Sequence, residues 1–88
     1  PDAEIMGRSY VRLSVKGGAD VLGKITAALG AENVGIDTVV QREAGGATVV
    51  IILTPTASVA ALSAALEQVG GLSEVTEAPR VIRIEEEV

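Results

Sequence analysis

Five consecutive apolar residues, Val49-Val50-Ile51-Ile52-Leu53, place the strongest constraint on this chain. A strand with one wet face would alternate, and this run does not. It reads as a central strand, covered on both faces or lying at a partner interface. Gly45-Gly46 and Pro55 bound it closely. Ala44-Gly45-Gly46 predicts a hairpin turn, since adjacent glycines accept positive φ, with residues 36–42 as the strand before it and residues 47–53 as the strand after.

The first strand is of the other kind. In Ser9-Tyr10-Val11-Arg12-Leu13-Ser14-Val15, the residues Val11, Leu13 and Val15 point one way and Tyr10, Arg12 and Ser14 the other, the alternation of a half-buried strand. A helix follows, with Val21, Leu22, Ile25, Ala28 and Leu29 on one stripe. Asp20 is its expected N-cap and Gly30 or Asn33 its expected end. Gly23, costly inside a helix, suggests close packing there. Thr56 or Ser58 caps a second helix with Val59, Leu62, Leu66 and Val69 inward, and Gly70-Gly71 stops it. The last extended segment starts at Val75 and carries Val81, Ile82 and Ile84. Pro79 within it indicates an edge or a bulge.

The order β-α-β-β-α-β predicts an α+β, ferredoxin-like sandwich: a four-stranded antiparallel sheet with two helices on one face. Residues 1–8 read as a frayed or linking start, 9–85 as the single domain and 86–88 as an acidic tail. Glu85-Glu86-Glu87 reads as solvated. The start at Pro1, with no initiator Met or leader, suggests a piece of a longer protein. The second sheet face is left bare, so dimerisation or another domain is needed to hide its apolar residues.

Composition removes several uses of such a fold. The 88 residues contain no Cys and no His, which excludes thiolate and imidazole metal sites and a Cys nucleophile or His base within the chain. The lone aromatic, Tyr10, and a net charge of −5 do not suit RNA recognition on a sheet. A phosphatase of this shape needs an Arg in the first loop, and residues 16–20 hold none. That loop, Lys16-Gly17-Gly18-Ala19-Asp20, is the one candidate cradle: two glycines expose amides beside a helix start. Asp37, early in the second strand, is either a surface residue or an acceptor for a ligand amine.

Three stretches carry a family resemblance: residues 9–15, Val21-Leu22-Gly23-Lys24-Ile25, and Val34-Gly35-Ile36-Asp37-Thr38-Val39-Val40-Gln41. Together they resemble an ACT domain, more narrowly the C-terminal regulatory one of the homoserine dehydrogenase family. Val49-Val50-Ile51-Ile52-Leu53-Thr54 and Pro79-Arg80-Val81-Ile82-Arg83-Ile84-Glu85-Glu86 fit the same pattern. The resemblance implies a cytoplasmic βαββαβ regulatory module with no catalytic residue, metal or cofactor of its own. Its parent would be an NAD(P)-dependent oxidoreductase of amino-acid biosynthesis, whose catalytic domain would be a partner. It implies homo-oligomers made by sheet or helix pairing, and a small amino-acid effector, threonine in that family. No nucleic acid or membrane partner is implied. The implied ligand site combines Gly17, Gly18, Ala19, Asp20, Val21 and Leu22 with Asn33, Val34, Ile36 and Asp37, the two groups coming from neighbouring chains.

The family's first loop reads Asp-x-Pro-Gly where this chain has Gly17, Gly18, Ala19 and Asp20. The Asp that holds a ligand ammonium is replaced by Gly17. The Gly that lets a carboxylate approach is replaced by Asp20. Like charges a few Å apart cost on the order of a few kcal/mol when partly buried, against ~4–7 kcal/mol for a ligand of modest affinity. Two readings follow: an amino-acid sensor, or an assembly module that has lost its effector.

Overall fold

A computed structural model describes residues 5–17 and 19–84. The elements are β1 (Met6–Val15), α1 (Ala19–Ala31), β2 (Thr38–Ala44), β3 (Ala47–Leu53), β4 (Ala57–Ser58), α2 (Val59–Gly70) and β5 (Val75–Ile84). All strand pairs are antiparallel. β1 lies in the middle, with β3 and then β2 on one side and β5 on the other. The expected ferredoxin-like α+β architecture is present. Among the described residues, no helix is long and apolar enough to cross a membrane.

Among the described residues the sheet has five strands where four are expected. The added one, β4, is two residues long and continues the line of β3 past Thr54-Pro55-Thr56. Tyr10 faces Leu53, but Gly7 faces Ala57, so one extra residue is absorbed in between. Thr54 holds this irregularity. Its N–H donates to Ser9 O (2.9 Å) and its Oγ1 accepts from the Ser9 N–H (3.0 Å). Both residues are buried polar groups, and each is satisfied. Through β4, Met6 and Gly7 are paired, so the frayed start expected for residues 1–8 is corrected at its end: residues 6–8 are strand. Residues 1–4 and the Glu85-Glu86-Glu87 tail lie outside the described residues.

The register fixes which side is buried. Leu13 faces Val50 and Val11 faces Ile52. These side chains, with Val15, form the sheet half of the core. Ile25 and Leu29 from α1, and Leu62, Ala65 and Val69 from α2, form the helix half. The second helix stripe is centred on Ala65 rather than Leu66. Ala65 is fully buried because a methyl there lets the helix approach the sheet, and Leu66 packs at the margin. Ser58, not Thr56, caps α2, its Oγ accepting from the Ala61 N–H at 3.1 Å.

Two-residue reversal at Gly45-Gly46 (φ 60° and 83°) joins β2 to β3. Positive φ at both positions is the type I′ geometry that matches strand twist. Pro79 sits where the sequence places it, on an edge strand beside a register shift: Arg12 faces Arg80, but Ser14 faces Glu77.

Gly23 departs from expectation. It is exposed, and an added Cβ would meet nothing within 4 Å. It is not a close-packing site, so only its helix-propensity cost remains. Gly23→Ala is expected to stabilise the domain by about 0.5–1 kcal/mol. Ile25→Ala, two residues on and fully buried, is expected to cost about 2–5 kcal/mol. Urea unfolding of both variants checks the pair, and a destabilised Gly23→Ala would show an unrecognised contact on that helix face.

Candidate functional site

The residues implicated by sequence fall into two groups at opposite ends of the sheet. The first loop follows Val15, whereas Asp37 precedes Thr38, which is level with Leu53 and hence Tyr10. Five residues of strand separate the two levels, roughly 17 Å. One chain therefore does not bring the groups together.

At the first end, Gly17 has φ +105°, and a Cβ there would lie 3.1 Å from Val21 Cγ2. The backbone angle requires glycine, and the space beside Val21 is tight for anything larger. The Lys16 N–H donates to Glu74 O (2.9 Å), tying the loop to the approach of β5. Gly18 lies outside the described residues. α1 starts at Ala19, so Asp20 is inside the first turn and not the cap expected from the sequence. Its carboxylate is well placed for the helix dipole and one turn from Lys24. The Lys24 Nζ donates to Glu74 Oε2 at 2.6 Å. That bond, reinforced by the Glu74 charge, raises the lysine above its usual value, with a smaller contribution from Asp20. The same bond lowers the Glu74 carboxyl. Val21 is buried in the core, so it can meet a ligand only through its backbone.

A cleft of about 370 Å³ opens beside this loop. Val15 and Val50 form its floor, Gly17 and Leu22 one wall, and Gln41, Arg42, Glu43 and Thr48 the other. The second wall was not singled out from the sequence. Its signal is the pairing of Thr48 with Val15, which brings the β2–β3 turn beside the first loop. Thr48 Oγ1 donates to Glu43 Oε2 at 3.2 Å, fixing a carboxylate there. The cleft thus offers a carboxylate beside a glycine loop and an apolar floor, while Arg42, opposite Val49 in register, presents its side chain to the other face of the sheet by strand alternation.

At the second end, Asn33 is in the left-handed region (φ 63°) and closes α1. The Asn33 N–H donates to Gly30 O and the Val34 N–H to Leu29 O, at 3.0 and 2.9 Å, the two bonds of a Schellman cap. Val34 then packs into the core with Leu29, while Ile36 lies at its margin. The Asp37 N–H donates to Leu53 O (2.8 Å), and its carboxylate accepts from Arg8 Nη2 at 3.3 Å. Asp37 already has a cation from its own chain, and it remains half exposed. Among the described residues, no group of three or more His, Cys, Asp or Glu is arranged to hold a metal ion.

Neither a protein-family model nor a curated protein matches this sequence. Solved structures do. A homoserine dehydrogenase from Thiobacillus denitrificans superposes with a TM-score of 0.85 at 26% identity, covering 94% of this chain and 18% of that one. The ACT domain of a GTP pyrophosphokinase from Chlorobium tepidum matches with a TM-score of 0.66 at 14% identity, over 91% of this chain and 100% of that domain. An uncharacterised Thermotoga maritima protein matches at 0.70 and 10% identity, over 92% of this chain and all of its own. The fold is the ferredoxin-like ACT fold, and the chain resembles a portion of a homoserine dehydrogenase under one fifth of its length.

The Lys24–Glu74 pair gives the first loop a defined pH response. Lowering of the glutamate means that its contribution is present above its usual value (about 4.3) and lost as pH falls through the folded value. Raising of the lysine means that its contribution is present below its usual value (about 10.4) and lost as pH rises through the folded value. Glu74→Gln is therefore expected to be less stable than the parent between about pH 5 and 10. Its difference from the parent should shrink on either side. Urea unfolding across pH checks this, and a pH-independent difference would count against the pair.

Proposed function

We propose that this ACT-fold chain is a regulatory module of a homoserine dehydrogenase, acting in the cytoplasm to pair subunits and to sense a small amino acid such as threonine. The observation that carries the reading is the opposite-end placement of the two residue groups, combined with the form of the β2 edge. β2 runs through seven consecutive pairs with β3 without a register shift, and only Val39 of its residues is not exposed. It pairs with no other described strand. Such an edge is a template for another strand. Two copies joined antiparallel through β2 are related by a two-fold axis. That axis would set the first loop of one copy level with the partner's Asn33–Asp37 region and wall the cleft from its open side.

An amino acid seated there would need a cation for its carboxylate and an anion for its ammonium. Backbone amides near Gly17 would stand in for the first, and Glu43 or the partner's Asp37 for the second. The catalytic role, NAD(P) and the reaction on aspartate semialdehyde would belong to the remainder of such an enzyme. A second reading keeps the pairing and drops the effector. The observation favouring it is Asp20 itself, standing where the family has glycine.

Thermal melting separates the two. At a hundred times its dissociation constant, an effector adds ~2.7 kcal/mol, a rise of several degrees at least for a domain of about this size. A rise with threonine or another small amino acid supports the sensor. Unchanged melting with all of them, alongside a stable dimer in light scattering, supports the assembly module. The pairing has its own probe. The Ala44↔Ala47 pair closes the two-residue turn, and strict alternation from it turns the Gln41 N–H away from β3. Gln41→Pro is expected to leave the sheet folded and to abolish the dimer, and a dimer that survives it would move the interface elsewhere.

A further inference from the structure

The sheet face opposite the helices carries an arrangement that neither the cleft nor the β2 edge uses. Arg12 on β1 and Arg80 on β5 stand directly opposite each other in register. Tyr10 faces Ile82 two pairs along, on the same face, and Tyr10 and Arg12 face Leu53 and Ile51 on the other side. Val40 faces Ile51 from β2. The face is therefore an apolar field with two adjacent guanidiniums near its centre, and the same alternation puts Arg42, opposite Val49, and Arg8, opposite Ile84, towards its margins. Val40 and Ile82 remain 41% and 61% exposed. Neither Arg12 nor Arg80 makes an ion pair with a described residue, and the carboxylate nearest in register is Glu77, opposite Ser14.

Like charges directly opposite across a strand pair are destabilising. No ion pair with a described residue repays that here, although the chain as a whole carries a net charge of −5. Arg and Tyr set among exposed aliphatic residues is the composition of a protein-docking patch, and its sign demands an acidic partner. A symmetric face-to-face pair of copies centred on this patch would set four guanidiniums against one another. The clefts on either side of the Tyr10–Arg12 ridge, about 480 and 330 Å³, are shallow troughs between side chains rather than an enclosed pocket. The four strands β2, β3, β1 and β5 span roughly 15 Å, and a helix with its side chains is about 10–12 Å across.

We propose that this face docks an acidic amphipathic helix of a protein partner, with carboxylates of the helix bridging Arg12 and Arg80 and its apolar stripe lying over Tyr10, Ile51, Ile82 and Ile84. The interaction does not require the amino-acid site, and it stands if the effector reading fails.

The test titrates the isotope-labelled 88-residue chain with a synthetic helical peptide of leucine and glutamate, reading backbone amide shifts. The expected result is shifts confined to residues 10–14, 51–53 and 80–84, weakening as salt is raised. A leucine–lysine peptide of the same pattern should leave them unmoved. Arg80→Glu converts the like-charged pair into an opposite-charged one. It is expected to melt higher than the parent while losing peptide affinity about tenfold or more. A structural role alone would not produce that opposition. Binding of the lysine peptide as tightly, shifts on the helices instead of these strands, or undiminished affinity in Arg80→Glu would overturn the proposal. So would the same shifts produced by inorganic phosphate alone, which would make the pair a small-anion site. Shifts produced by raising chain concentration without peptide would make the occupant a second copy and overturn it as well.

Discussion

The structure depends on one constraint: β1 and β3 must present their apolar side chains to the same side. Val11 and Leu13 do so opposite Ile52 and Val50, and both helices close over them. A slip of one residue would turn a whole strand over and put its core face into water. The register is pinned at both ends of β3. At one end, Gly45-Gly46 fixes the distance to β2 through a turn only positive φ allows. At the other, reciprocal bonds join the two buried polar residues Ser9 and Thr54. The core is thus aligned by a turn and a polar clasp, while its stability comes from burial.

Because β1 is committed on both edges, the two exposed edges fall to β2 and β5, and they differ in kind. β5 is interrupted by two register shifts and Pro79, devices that spoil an edge as a template. β2 has neither. Its continuous pairing with β3 leaves a flat row of unpaired backbone groups beside the cleft. The chain has therefore blunted one edge and left the other able to pair. That asymmetry ties the proposed subunit pairing to the proposed ligand site, since a partner on β2 is the neighbour that reaches the cleft wall.

Most of the fold was legible because its signals are local and strong. Alternation in residues 9–15, the unbroken run at 49–53 and the glycine pair at 45–46 each have one cheap solution. What was missed is what depends on distant partners. Gly23 looked like a packing site because a glycine in a helix usually needs a reason, and only the layout shows that its side of α1 faces empty space. β4 has no pattern of its own, and it exists because Met6 and Gly7 extend β1 far enough to meet it. Asp20 was read as a cap because Asp favours that role, whereas α1 begins one residue earlier. Of the site, Gly17 and Asn33 were recognisable as special, and both are held by backbone geometry. The far wall of the cleft was not, because Gln41, Arg42 and Glu43 are ordinary edge-strand residues until the hairpin folds them beside the first loop.

A net charge of −5 suggests a protein that repels anions everywhere, yet that sum combines surfaces which never meet the same neighbour. Asp20 and Glu67 lie on the exposed helix layer, while Arg12 and Arg80 share the opposite side. In water the cost of the arginine pair is small, because two exposed charges are screened within a Debye length of about 8–10 Å. Covering changes that balance. As a partner excludes solvent, the effective dielectric falls and each charge interaction grows. A partner without carboxylates would then confront both the unrelieved repulsion and the desolvation of two guanidiniums, whereas an acidic one relieves both. The pair therefore costs the free domain only modestly and becomes strongly discriminating on contact, which makes it chiefly a determinant of which partner may dock rather than of whether the domain folds.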